Sequence, residues 1–140
     1  EKDISLLNNE PLKLSNEYAS YIMDAVTNNK TITINANVMN NNLINNLPSN
    51  CCVEVPCLIN SNGFHPQQVG SLPEQLLALM RTNINVQILT AKAATTKKRE
   101  HIYHAAMMDP LTSSILSIDE IYSMTDELID AHKNYLPKYN

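Results

Sequence analysis

The stretch that most restricts the fold is CVEVPCLINSNGF, residues 52–64. Val53, Val55 and Cys57 recur every second residue, the period that puts side chains on one face of a strand. Asn60-Ser61-Asn62-Gly63 follows, a hairpin signal, because Asn and Gly tolerate the positive φ angles of a tight turn. A strand over 51–59 and a returning strand over 64–69 are therefore predicted. Pro56 has no N–H to give to a ladder, so the first of these strands is expected at a sheet edge or at a bulge. Upstream, Thr31-Ile32-Thr33-Ile34-Asn35 alternates and is β-branched, and predicts another strand over 31–35.

The rest of the chain is helical in pattern. Tyr18, Tyr21, Ile22, Ala25 and Val26 repeat at three- and four-residue spacing, which predicts an amphipathic helix over 16–28 with Ser15 or Asn16 as N-cap and Glu17 in its first turn. Residues 1–14 have no firm period, and Pro11 breaks a helix there. After Pro73 a long helix is predicted over 73–94, with a kink or end near Thr95-Thr96. Its apolar stripe includes Leu76, Leu79, Met80, Ile84 and Ile88, wide enough for one side to meet the core and another a partner. A further helix is predicted over 100–108. A last one, capped by Ser117, is predicted over 118–134, with Ile121, Met124, Leu128 and Ala131 on one face. One helix, then strands, then a series of helices is an α+β order: an antiparallel sheet covered by helices, in one domain over residues 1–140.

Composition removes several function classes. The net charge is −4 and the only basic run is Lys97-Lys98-Arg99, read as solvated helix or loop, so neither nucleic acid nor an anionic membrane is an expected partner. No apolar stretch is long enough to span a bilayer, and the charged opening Glu1-Lys2-Asp3 does not resemble a signal peptide. Cys51 and Cys52 are adjacent and point to opposite faces of a strand, so with Cys57 they are expected to be three reduced thiols in a cytoplasmic protein, not a metal site. Asn fills about one position in seven and clusters at 40–42 and 45–46, where it can take the turn conformations usually left to Gly. No GxGxxG or phosphate-cradling loop occurs, so a dinucleotide-binding domain is not in these residues.

Four strings carry a resemblance: SNEYASYI (15–22), NLPSNCCVEVPCLINSNGFHP (46–66), VGSLPEQLLALMRTNINVQIL (69–89) and YHAAMMDPLTSSILSIDEI (103–121). In this order they resemble the C-terminal region of the NAD- and manganese-dependent family-four glycoside hydrolases. CCVEVPC, RTNINVQ and YHAAMMDP look most like the α-galactosidase branch. The resemblance implies a fold similar to lactate and malate dehydrogenases: an N-terminal Rossmann domain, absent from this chain, and this α+β substrate and oligomerisation domain. It implies hydrolysis of α-galactosides by transient NAD oxidation of a sugar hydroxyl. That step acidifies the neighbouring C–H, a base removes the proton, the glycosidic oxygen is eliminated, and hydration and hydride return close the cycle. Mn2+ would act as Lewis acid on the developing enolate.

The metal-binding Cys and His, the catalytic Tyr and the nucleotide glycines of such enzymes are expected upstream. None of these roles is transferred to Cys51, Cys52, Cys57 or any His here, and the chain alone is expected to bind no cofactor and turn over no substrate. In the dehydrogenase-like fold the start of the first helix faces the active site, which maps to Ser15, Asn16 and Glu17 as substrate-binding candidates beside their reading as plain caps. Arg81-Thr82-Asn83 is read as a buried polar network or a subunit contact. His101 and His104 are read as an ordinary helix pair before a two-His metal site. Met80 and Ile88 stand where the family often has Asn and Glu, and NVMNNNLINNLP (37–48) replaces an expected Pro- and Gly-containing connection. The alternatives are an inactive binding or assembly module of the same fold and a sister α-glucosidase or α-glucuronidase. A homo-oligomer is expected, as the resemblance implies and the broad stripe after Pro73 allows.

Overall fold

A computed structural model describes residues 16–140. The order of elements is α1 (Ala19–Thr27), β1 (Ile32–Met39), β2 (Cys52–Asn60), β3 (Gly63–Pro66), α2 (Glu74–Thr96), α3 (Glu100–Met108), α4 (Pro110–Ile115) and α5 (Ile118–His132). The strands form one antiparallel sheet in the order β1-β2-β3, so the class is α+β, as the patterns predict. The chain divides into two compact units, one made of residues up to Asn35 with Pro56–His65, the other of Ala36–Val55 with Pro66–Asn140.

In the first unit the fully buried residues are Ala25 of α1 and Cys57 and Ile59 of β2. The turn after β2 is the predicted one. Gly63 has φ 111°, and the Asn62 N–H donates to the Asn60 side chain at 2.8 Å. The helix begins at Ala19 with Tyr18 at its N-cap and no side-chain cap bond, so Asn16 is not the cap and lies outside the helix. Ser15, the other cap candidate, lies outside the described residues, as do residues 1–14. Of the predicted apolar stripe only Ala25 is buried, while Tyr18, Tyr21 and Val26 are exposed.

The second unit holds the main core. Ile44, Leu47, Cys51, Val53, Val55 and Ile84 form one buried cluster, with Leu77 and Ile88 of α2 packed against it. Leu77, Ile84 and Ile88 stand seven and four residues apart, so one side of α2 faces this cluster. Leu76, Leu79 and Met80 remain exposed, with Leu79 on the side opposite these contacts. α2 packs on α3, α3 on α4 and α5, and α4 on α5.

The linking loop of residues 40–51 is built on Asn40, which is completely buried. Its Nδ2 donates to the carbonyls of Ile44 (3.0 Å), Leu47 (3.1 Å) and Pro48 (3.0 Å), and its Oδ1 accepts from the Ile44 N–H (2.8 Å). Asn41 and Asn42 beside it have positive φ, as does Asn29 after α1. The Asn-for-Gly reading of the composition therefore holds at these three positions.

Several expectations change. β1 runs on to Met39 because Ala36–Met39 keep the alternation, although Ala and Asn are weak strand formers. β2 is the central strand, not an edge. β3 offers it only four residues after a two-residue turn, which reach the 57–60 end, so Pro56 sits where β3 has stopped. The returning strand is correspondingly shorter than 64–69, and only Gly70 pairs again, in an isolated bridge with Ile44. α2 runs two residues beyond 94 and stops in the Thr95-Thr96 region, where an end is predicted. It ends at Thr96, with Lys97 left-handed at φ 55°. α4 is an extra helix that the pattern did not predict, with Asp109 as N-cap and Pro110 at its first position. α5 has the predicted Ser117–Glu120 capping box, but Leu128 and Ala131 are exposed and Thr125 is buried in their place.

Candidate substrate-binding groove

The lead-in to α1, its first turn and the start of β1 frame an open groove of about 310 Å³. Asn16, Tyr18 and Tyr21 line one side, and Ile32, Thr33 and Ile34 the other. All six belong to the first unit. Tyr18, at the N-cap of α1, and Tyr21, in its first turn, are three residues apart and line the same side of the groove. They are 53% and 45% exposed, an unusual setting for two large rings inside one hollow. Asn16 and Thr33, both exposed, add an amide and a hydroxyl. Among the described residues no Lys, Arg, His, Asp or Glu side chain is part of the lining.

Of the three substrate-binding candidates, Asn16 lines this groove, Glu17 is exposed next to it in sequence, and Ser15 lies outside the described residues. The two tyrosines escaped the sequence reading because their spacing is equally that of a core stripe. The available signal was that they are the phenol-bearing members of the stripe, which need a partner for the hydroxyl if buried. Chemically the groove can bind a polyhydroxylated, uncharged molecule. Among the described residues its lining holds no carboxylate or imidazole for general acid–base work near neutral pH.

The other polar clusters are occupied structurally. Arg99 donates from Nε to the Tyr103 hydroxyl (2.7 Å) and from its guanidinium to Asp126 (2.8 Å), and the Tyr103 hydroxyl also donates to Asp126. The Tyr103 hydrogen bond, then that of Arg99, holds the Asp126 carboxyl below the usual range, and the same Asp126 contact raises Tyr103 and Arg99. Arg81, Thr82 and Asn83 are exposed. Arg81 bonds Asn85 at 3.0 Å and the Thr82 hydroxyl turns back to the Leu79 carbonyl at 2.7 Å, so they form no buried network. Lys97, Lys98 and Arg99 are exposed, as the solvated reading has it.

The three cysteines are free thiols, with Cys51 and Cys57 buried and Cys52 exposed. Burial pushes the Cys51 thiol up, away from the reactive thiolate form. His101 is buried and its ring lies 6.2 Å from that of His104. Among the described residues no three His, Cys, Asp or Glu side chains come together as metal ligands, so these residues do not fit a manganese ion. Among them, too, no helix is long and apolar enough to cross a membrane.

Comparison with known proteins agrees with this architecture. A family model for the family 4 glycosyl hydrolase C-terminal domain matches residues 2–112. The chain is 48% identical over 136 residues to the alpha-galactosidase of Bacillus subtilis strain 168, covering 96% of this chain and 32% of that protein. It is 32% identical over 127 residues to a maltose-6'-phosphate glucosidase of Clostridium acetobutylicum, covering 89% and 28%. A 6-phospho-alpha-glucosidase from gut microorganisms, solved with NAD and glucose-6-phosphate, superposes with a TM-score of 0.75 at 25% identity, over 86% of this chain and 26% of that one. A second, solved with NAD and Mn2+, shares the fold with a TM-score of 0.76 at 21% identity, over 86% and 27%. The chain thus spans about a third or less of the length of the proteins it matches.

Proposed function

Because the chain belongs to the family 4 glycosyl hydrolases, as their C-terminal domain, we propose that it is the substrate and oligomerisation domain of an enzyme that hydrolyses α-galactosides. In this proposal the reaction is NAD-dependent oxidation–elimination, the route by which such enzymes depart from the two-carboxylate scheme of most glycosidases. NAD and Mn2+ are bound chiefly by a Rossmann half encoded upstream. This domain contributes binding surface around Asn16, while the hydride chemistry belongs to the cofactor. The observation that carries the specificity is the 48% identity to an alpha-galactosidase over nearly the whole chain, against 32% to a maltose-6'-phosphate glucosidase. Association into a homo-oligomer is supported by Leu76, Leu79 and Met80, which α2 keeps exposed.

The test is a panel of aryl α-glycosides given to a polypeptide that joins this domain to its upstream half, with and without NAD and Mn2+. α-Galactoside cleavage that stops when either cofactor is withdrawn is the expected result. Preference for an α-glucoside, an α-glucuronide or a 6-phosphorylated substrate would overturn the specificity. Turnover by this chain alone would overturn the division of labour.

A further inference from the structure

Resting on that reading of the domain, we infer that the groove between α1 and β1 is a subsite for one uncharged glycosyl unit. Tyr18 and Tyr21 form its stacking platform, and Asn16 and Thr33 its hydrogen-bonding rim. The subsite selects against sugar phosphates.

Three observations carry this. The first is the pair of rings. A pyranose has a face of C–H bonds made slightly positive by the neighbouring oxygens, and the face of an aromatic ring is negative, so the two attract when stacked. Two half-exposed tyrosines along one hollow provide such a face, with Ile32 and Ile34 opposite. The Asn16 amide, the Thr33 hydroxyl and the phenols can exchange hydrogen bonds with equatorial and axial hydroxyls alike.

The second observation is size. About 310 Å³ lies at the small end of the roughly 300–1,000 Å³ typical of ligand clefts. That is room for one ring, not for an extended oligosaccharide.

The third is charge. A phosphate monoester brings about −1.5 to −2 charges and is held by Arg or Lys in charge-assisted bonds. Among the described residues the lining has no cation, and the cation that follows α1, Lys30, is paired with Asp24 at 2.8 Å. A 6-phosphorylated sugar would lose its water here without gaining a partner.

Binding can be read on this chain by amide NMR titration with melibiose and, separately, with glucose 6-phosphate. Saturable shifts at residues 16–23 and 32–34 are expected with melibiose, and at least tenfold weaker binding with the phosphate. Tyr18→Ala and Tyr21→Ala should each weaken melibiose about tenfold, as loss of roughly 1.4 kcal/mol of stacking implies, whereas Tyr18→Phe should retain most of it. Thr33→Lys at this exposed site provides a second arm that does not depend on deleting a ring, and should gain glucose 6-phosphate binding.

Absent or misplaced shifts, equal binding of both sugars, or unchanged melibiose binding by the two alanine variants with native spectra would each overturn the subsite. The two proposals fail separately. If the longer polypeptide cleaves α-galactosides with NAD and Tyr18→Ala leaves its KM unchanged, the subsite falls and the function stands. Melibiose shifts in the groove without NAD-dependent cleavage would leave the subsite and remove the function.

Discussion

Replacing Asn40 by Ala should be among the most damaging single changes in the chain. The side chain is fully buried and its amide closes the 40–51 loop with four contacts. Two of its partners keep a second bond: the Ile44 carbonyl accepts from the Leu47 N–H and the Pro48 carbonyl from the Cys51 N–H, each at 3.3 Å. Among the described residues the Ile44 N–H and the Leu47 carbonyl have no second bond of this kind, and they belong to residues only 4% and 5% exposed. Leaving a buried backbone group unpaired costs about 1–3 kcal/mol. Two such groups, partly relieved by entering water, put the loss at about 3 kcal/mol, or roughly 10 °C in Tm for a chain of this size. Urea unfolding followed by far-UV circular dichroism should show a lower midpoint with an unchanged slope, since the exposed area on unfolding is the same.

Asn40→Asp adds a sign test. The carboxylate keeps an acceptor for the Ile44 N–H but sets negative oxygen against three carbonyls, so its folded-state pKa is raised. The variant should therefore be worse at pH 7 than at pH 4, where a protonated acid can again donate. Asn41→Ala is the control: an exposed neighbour with φ 40°, for which only the left-handed backbone cost of about 1 kcal/mol applies. A loss below about 1 kcal/mol for Asn40→Ala, or an equal loss at Asn41, would refute the reasoning from buried partners.

Lys97→Gly should stabilise the chain by about 0.5–1 kcal/mol in the same assay, because residue 97 is left-handed at the end of α2 and Gly adopts that conformation without strain. Ser117→Ala should cost about 1 kcal/mol by removing the capping box of α5, read as a lower thermal midpoint. Asp126 has a folded-state pKa below its unfolded value of about 3.9. Its contribution is complete above that unfolded value and is lost as pH falls through the folded one, so Asp126→Asn should flatten the decline of Tm below about pH 4.

What could be read in advance follows from how local each determinant is. The turn at residues 60–63, the alternation of Val53, Val55 and Cys57, and the Ser117–Glu120 box are each decided within a few residues, and each appears where the pattern puts it. The extension of β1 through Ala36–Met39 depends on pairing with β2, a partner distant in sequence, and Ala and Asn announce no strand by themselves. Pro56 misled because a proline argues for an unpaired side, not for an edge strand, and a short β3 supplies that side in the middle of the sheet. α4 did leave a signal, since Asp109-Pro110 is an N-cap followed by a first-turn proline, but the same pair also reads as the stop of α3. In the groove, Asn16 was reached through the family resemblance. Tyr18 and Tyr21 were hidden because three-residue spacing does not say whether a helix side is covered.

The carboxylates of the described residues bear on what kind of site this domain can hold. Asp24, Asp109, Glu120 and Asp126 all have pKa values below their ordinary range. In each case the leading cause is a structural bond: Lys30 to Asp24, the Thr112 hydroxyl to Asp109, the Ser117 backbone to Glu120, and Tyr103 to Asp126. A general acid that protonates a leaving glycosidic oxygen near neutral pH needs the opposite shift, upward towards the working pH. These four acids are caps (Asp109 and Glu120) or pair partners (Asp24 and Asp126), ionised and engaged, and cannot also shuttle protons without releasing those bonds. The groove, by contrast, brings together aromatic faces, an amide and a hydroxyl that no structural bond consumes so completely. In the proposal made above, this groove binds a sugar and the reacting groups lie elsewhere in the longer polypeptide. The informative variants at Tyr18 and Tyr21 should accordingly move KM of the longer polypeptide while leaving kcat nearly unchanged.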